Sequence, residues 1–171
     1  MTGQINVNKI AARTGNTITI NSGDKISGAA GSIVAPGQVL QCVQYYAASP
    51  GAQSTSSTSF VATGIKKTIT PKASGNLIII QTHITMAYAS ASAYARIYLN
   101  GSAMAGSENY HMGYMNISHN SYAGMMTQAQ HTTTNTSALE FEIYVRVGSS
   151  GTFTYTHDQS STAMTLWEIA Q

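Results

Sequence analysis

Charge is what this sequence has least of. Of its 171 residues only 8% are Asp, Glu, Lys or Arg, against roughly 25% in an average soluble domain. Eight basic and six acidic residues leave a formal net charge of +2, and the only adjacent basic pair is Lys66-Lys67. Nucleic-acid binders need a basic patch or stripe, so no nucleic-acid partner is expected. There is one cysteine, Cys42, so no intrachain disulfide holds the fold. Within the alternating run "QVLQCVQYY" it reads as a small buried hydrophobe. The longest uncharged apolar run, "LIIIQTHITMAYASASAYA", is broken by Gln81, Thr82 and His83 and is too polar to span a bilayer. No charged segment followed by an apolar one opens the chain, so no secretory signal is expected. G-x-S-x-G, H-E-x-x-H and a glycine-rich phosphate loop ahead of a helix are all missing.

In place of charge stand Thr, Ser, Ala, Asn, Gln and Gly, with ten tyrosines and many Ile and Val. Disordered chains are rich in charge and poor in β-branched and aromatic residues, so this chain is expected to fold. Its surface must then be covered by hydroxyls and amides, which suits exterior proteins built from sheets. An exterior-style surface without an export signal is reconciled in a virion component, made in the host cytoplasm and released by lysis.

Texture divides the chain. Residues 1–40 hold short apolar pairs between turn signals, as in "TGNTITINSGDKI", where Thr17 to Ile20 alternate and Asn21-Ser22-Gly23-Asp24 turns the chain. Glycines at 3, 15, 23, 28, 31 and 37 exclude helix there. "YYAASPGAQSTSSTS" (45–59) reads as a linker or long connection. The division expected is therefore a β-rich stalk or attachment segment at 1–44, a linker at 45–56 and a head at 57–171. From about residue 57 the period is two. In "LEFEIYVRV" Leu139, Phe141, Ile143, Val145 and Val147 share one face, and Glu140, Glu142, Tyr144 and Arg146 the other. In "AYARIYLNGS" Ala95, Ile97 and Leu99 point inward and Tyr94, Arg96 and Tyr98 outward, before a hairpin turn at Asn100-Gly101. The spacing predicts strands at 57–62, 65–70, 76–88, 93–99, 109–118, 122–131, 138–147, 151–157 and 162–170, and no helix. Such a series argues an all-β, two-sheet antiparallel sandwich, most simply a jelly roll, with the last strand central and next to the first.

The order "FVATGIKKTITPKASGNLIIIQTHITMAY", "ARIYLNGS", "LEFEIYVRV", "FTYTHDQSSTAMTLWEIAQ" resembles the head domains of bacteriophage fibre proteins. The front segment "GNTITINSGDKISGAAGSIVAPGQVLQ" similarly resembles the repetitive β-rich stalks of marine phage, or cyanophage-like, virion proteins. The resemblance implies a head like the tumour-necrosis-factor and complement jelly rolls, assembled as a homotrimer. It implies a tail or capsid fibre that binds other virion proteins through its N-terminal segment and contributes to host attachment. In such a trimer the Ile18/Ile20 face would pack around a threefold axis, and closure would remove exposed strand edges. A stand-alone, lectin-like carbohydrate-binding module is the alternative, and a small hydrolase a remote third.

Candidate chemistry is sparse. Glu140 and Glu142 share a strand face about 7 Å apart, near a glycosidase separation, but read better as ordinary surface charges with Arg146 available to neutralise one. His157-Asp158 with Ser160 is a triad in composition only, since neighbours on a strand face opposite ways. The histidines at 83, 111, 119, 131 and 157 fit no zinc spacing, though a trimer would bring three copies of one to an axis. No catalytic, cofactor or metal residue is assigned, no cofactor is expected, and no membrane insertion. The least bland stretch is "ENYHMGYMNISHNSYAGMM" (108–126). With the outward tyrosines it supplies the candidates for trimer interface or recognition: Tyr94, Tyr98, Tyr110, Tyr114, Tyr122 and His119. Tyrosine serves saccharide or protein recognition as well as subunit interfaces, and the interface is the favoured reading of this stretch. Host contact, if present, is expected in the connections at 88–93, 118–122, 131–137 and 157–162.

Overall fold

Period-two alternation becomes strands throughout. The computed structural model describes residues 34–89, 92–104, 113–115, 122–157 and 159–171, with Ser22 alone before them. Among these there are eleven strands and no helix. They are β1 (Val39–Ala47), β2 (Gln53–Thr55), β3 (Val61–Ile69), β4 (Leu77–Ala89), β5 (Ala93–Leu99), β6 (Ser102–Ala103), β7 (Gly113–Met115), β8 (Tyr122–Thr132), β9 (Leu139–Val147), β10 (Phe153–Thr156) and β11 (Thr162–Ile169).

They form two antiparallel sheets packed as a sandwich, a jelly-roll-like all-β arrangement. The first runs β1-β11-β4-β10-β2, with β8 on the other edge of β4. β4 is long enough for two partners on one side. β11 covers Leu77 to His83, and β10 pairs with it near Ala87 and Ala89. The second sheet runs β3-β9-β5, with β6 and β7 both pairing β5. Asn100 and Gly101, at φ of 50° and 76°, make the expected hairpin between β5 and β6.

The core follows the alternation. Phe141, Ile143, Val145 and Val147 of β9 are fully buried, and Leu139 packs at the edge. Opposite them lie Ile78, Ile80 and Ile84 of β4 and Met164 and Leu166 of β11. Thr82 sits in phase with the isoleucines. Its hydroxyl shares a 2.7 Å hydrogen bond with that of Thr127, which satisfies both groups.

The stretch read as the end of the stalk and a linker is built differently. Val39–Ala47 is β1, paired with β11 along its length, and Gln53–Thr55 pairs with β10. The last strand is central, but its neighbours are β1 and β4 rather than the 57–62 segment. The Ser/Thr/Gly-rich composition concealed these strands, whose inward residues Val43 and Tyr45 pack on the core. Cys42 then faces outward and is exposed, contrary to the buried reading. The two strands expected at 57–62 and 65–70 are one, β3, with a bulge between Ala62 and Lys66. Gly64 takes φ 75° there, and the buried Thr63 hydroxyl donates to Ile143 O (2.7 Å) while accepting from Ile65 N (3.1 Å). Of the strand expected at 109–118, residues 113–115 form β7, and the rest lies outside the described residues.

Glu168 is the one fully buried carboxylate of the described residues. It lies in phase with Met164 and Leu166, so it faces the interior. Its oxygens accept from Lys72 N (2.7 Å), Asn76 Nδ2 (2.6 Å) and Gln41 Nε2 (2.5 Å). Gln41 Nε2 also donates to Thr70 O (2.7 Å). One side chain thereby ties β11, β1 and the 70–76 turn together. Burial pushes its carboxyl up, but hydrogen bonds from Asn76, Gln41 and the Lys72 and Ala73 amides outweigh this and hold it below the ordinary range.

Two outcomes follow. Phe141→Ala should cost about 3–5 kcal/mol in denaturant unfolding, from lost burial and the cavity left behind. A carboxyl depressed in the fold stabilises above its unfolded pKa, and that stability is lost as pH falls through the folded pKa. The wild-type melting temperature should therefore drop on acidification. Glu168→Gln should lose about 1.5–3 kcal/mol at neutral pH, because its amide presents a donor to donors, and show a flatter acid limb, because the titrating carboxyl is gone.

Candidate functional site

The two sheets turn opposite kinds of surface outward. On the first, cross-strand rows run over β1, β11, β4 and β8. One row is Tyr46, Ala163, His83 and Met126; the next is Gln44, Thr165, Gln81 and Gln128; a third is Cys42, Trp167, Ile79 and Gln130. No Asp, Glu, Lys or Arg stands at an outward position on these four strands, because Glu168 points in. The amide row bonds to itself: Gln44 Nε2 donates to Thr165 Oγ1 (3.0 Å) and Gln81 Nε2 to Gln128 Oε1 (3.3 Å). Large apolar groups stay exposed here, with Met126 at 80% and Tyr46 at 62%, and Val39 opposite Ile169 at 48%. The Trp167 indole N–H is covered yet has no acceptor among the described residues.

On the second sheet the outward residues are charged and aromatic. Lys66 Nζ lies 3.1 Å from Glu140 Oε2, and Glu142 Oε1 accepts from Gly64 N at 3.0 Å. Hydrogen bonding and charge from Glu140 hold the exposed Lys66 ammonium above its ordinary value. Register then sets Tyr98 opposite Glu142, Arg96 opposite Tyr144 and Tyr94 opposite Arg146. Tyr98 and Tyr144 stack at 3.7 Å between centroids and 14° between planes. The Arg146 guanidinium lies 4.2 Å from the Tyr94 ring centre and 5.2 Å from that of Phe60. Arg96 lies 5.5 Å from Phe60 and 5.9 Å from Tyr98, inside cation–π range. Tyr94 is also seated by an absent side chain. A Cβ on Gly148 would come within 2.9 Å of its ring.

The expected site residues that are described do not converge on one face. Tyr94 and Tyr98 lie on the outer face of the second sheet, within this aromatic–arginine array. Tyr114 is in β7, opposite Tyr94, and Tyr122 begins β8 on the first sheet, opposite Ala87. Tyr110 and His119 lie outside the described residues. The partner of Glu140 is Lys66 rather than Arg146, whose guanidinium is committed to ring faces. Between β10 and β11 the Ser160 hydroxyl donates to His157 O (2.9 Å), and His157 Nδ1 accepts from Gln159 N (3.2 Å). Ser160 is therefore directed at backbone rather than at the imidazole. Asp158 and His111 lie outside the described residues.

His131 lines a recess of about 340 Å³ with Leu99, Met104 and Gln130. Its ring meets Phe141 edge-on at 6.1 Å, and burial holds its pKa below the ordinary value. It belongs to the wall of the core. No group of three or more His, Cys, Asp or Glu able to hold a metal occurs among the described residues.

Phe60, Arg96, Tyr144 and Arg146 are not among the interface or recognition candidates read from the sequence. Alternation placed three of them outward, but the cross-strand register that gathers them has no trace in a linear pattern. No family model matches the chain, and no curated protein matches it.

The stacked pair is testable alone. A double-mutant cycle on Tyr98→Ala and Tyr144→Ala should return a coupling of about 0.5–1.5 kcal/mol by denaturant unfolding.

Proposed function

We propose that this chain is a bacteriophage fibre protein, on tail or capsid, that works as a parallel homotrimer and contributes to host-surface adhesion. The observation that carries this is the charge-free outer face of the first sheet. Interface cores are depleted in charge and enriched in aromatic residues and Met. A face with Met126, Tyr46 and Trp167, and no charge across four strands, has that character. An amide and hydroxyl row across its middle allows burial without an unpaired ion. A second copy of the chain is the occupant, because the resemblance to phage fibre heads implies a homotrimer, and an uncharged face is what such a contact buries.

The resemblance to phage fibre heads supplies the rest of the reading. The N-terminal segment attaches to the particle and aligns the trimer. The head carries whatever contact is made with the host, by binding rather than turnover. A head fragment made to test this has to begin before Val39, since cutting at residue 45 would sever β1 from β11.

Sedimentation should give three times the 18.0 kDa chain mass. Gln81→Glu places a carboxylate in the middle of the uncharged face. It should leave the monomer folded while weakening association by about 3 kcal/mol or more, the cost of an uncompensated buried charge. A wild-type monomer at micromolar concentration overturns the trimer.

A further inference from the structure

We infer that His83 makes the uncharged face of the first sheet a pH-switched contact, closed between copies of the chain while the imidazole is neutral and released when it takes a proton. The inference rests on the homotrimer reading and adds the group that regulates it. His83 stands inside that face rather than at its rim. It lies on β4 between Ala163 of β11 and Met126 of β8, in the row that begins with Tyr46 of β1. The ring is half-buried, and its Nε2 edge lies over the bare backbone of Gly124, where a Cβ would come within 3.1 Å. Among the described residues no hydrogen bond or ion pair reaches the imidazole.

A second copy fits this face because the face can satisfy itself. A glutamine side chain carries two donors and an acceptor, so the row of Gln44, Gln81 and Gln128 with Thr165 offers both halves of a hydrogen bond to another such row. No ion is needed from the partner, and none is offered. Met126 and Tyr46 stay open to solvent on either side of His83, so a copy seated on them covers the ring between them.

The groups around His83 supply no counter-charge. The outward positions beside it on β11 and β8 carry none, and β1 brings the Tyr46 phenol, with Cys42 two rows away. Tyr122 begins β8 two residue pairs past Gly124 and Thr85 take their places, opposite Ala87. Beyond Thr85 the connection between β10 and β11 brings His157, which takes the same sign on protonation. Glu168 is turned into the core, and Lys66, Glu140, Glu142, Arg96 and Arg146 belong to the other sheet. Asp158 and His119 lie outside the described residues.

Imidazole is the side chain that changes charge between about pH 5 and 8. Neutral, it is covered at the modest cost of a polar ring. Protonated, it would be an ion among amides and a thioether, and desolvation disfavours that form. Chains in contact therefore bind fewer protons at His83 than separate chains do. The contact is at full strength above the imidazole range and weakens as pH falls through it, by about tenfold in association constant per pH unit for each ring covered.

Sedimentation velocity of the full-length chain at about pH 8 and about pH 5.5, on either side of that range, tests the switch at one chain concentration. Wild type should be a trimer at the higher pH and separate into folded monomers at the lower, reversibly. His83→Gln, which stays neutral, should be a trimer at both, and His83→Lys, charged throughout, a folded monomer at both. His83→Asn replaces the glutamine variant should that one unfold, and circular dichroism of the same samples reports the fold. Other histidines titrate in the same window, so the difference between wild type and His83→Gln carries the result. A His83→Gln variant that separates in acid as wild type does, a folded His83→Lys trimer, or a wild type that unfolds instead of separating overturns the inference. A wild-type trimer at both pH values sinks the switch and leaves the trimer standing, whereas a monomer at both sinks the trimer and the switch with it.

Discussion

β11 enters the first sheet between β1 and β4, and its register decides most of what the sandwich is. Set against His83 on one side and Tyr46 on the other through Ala163, it turns Met164, Leu166 and Glu168 inward. A slip of one residue would send those three out and bring Thr165 and Trp167 in. Glu168 locks the register with a chemistry that apolar packing lacks. Its carboxylate is satisfied only where Asn76, Gln41 and the Lys72 amide meet it, and an unsatisfied buried carboxylate is expensive. The hydrophobic face supplies the stabilisation, and the buried acid makes one alignment better than its neighbours.

The same register sorts the outer surfaces. Once β1, β11, β4 and β8 are aligned, their outward positions carry amides, hydroxyls, Tyr, Met and Trp. The few charges in the described strands, Glu168 and the edge residue Lys67 apart, collect on the outer face of β3, β5 and β9. In a chain with 8% charged residues this separation matters more than the count. An uncharged face can be covered by another protein surface at small desolvation cost. The charged face is already organised by Lys66 with Glu140 and by arginines against rings, and it keeps its ionised groups in contact with water. The fold therefore offers one face suited to burial and one suited to polar contact.

Bulges and close approaches tune these faces. At Gly64 the β3 strand takes an extra residue, and the Thr63 hydroxyl fills the broken ladder. The bulge also presents the Gly64 amide to Glu142, which draws that carboxylate away from the arginine end. Gly148, at the end of β9, leaves room for the Tyr94 ring. Both glycines act through the space or conformation they permit, and each sits beside an outward ring or charge.

Alternation alone determined the all-β class, the inward face of β9 and β5, the Asn100-Gly101 hairpin and the absence of helix among the described residues, because period two is a local property of the backbone. It also placed Tyr94, Arg96, Tyr98, Tyr144 and Arg146 outward, without saying that they touch. Pairing decided the rest. β1 looked like stalk because its flanks are rich in Gly, Ser and Thr, yet it is hydrogen-bonded to a strand more than a hundred residues away. Cys42 followed it to the surface. Which of two outward faces gathers rings and guanidinium groups, and which stays free of charge, depends on which strands lie side by side, and strand order is a long-range outcome that no local spacing records.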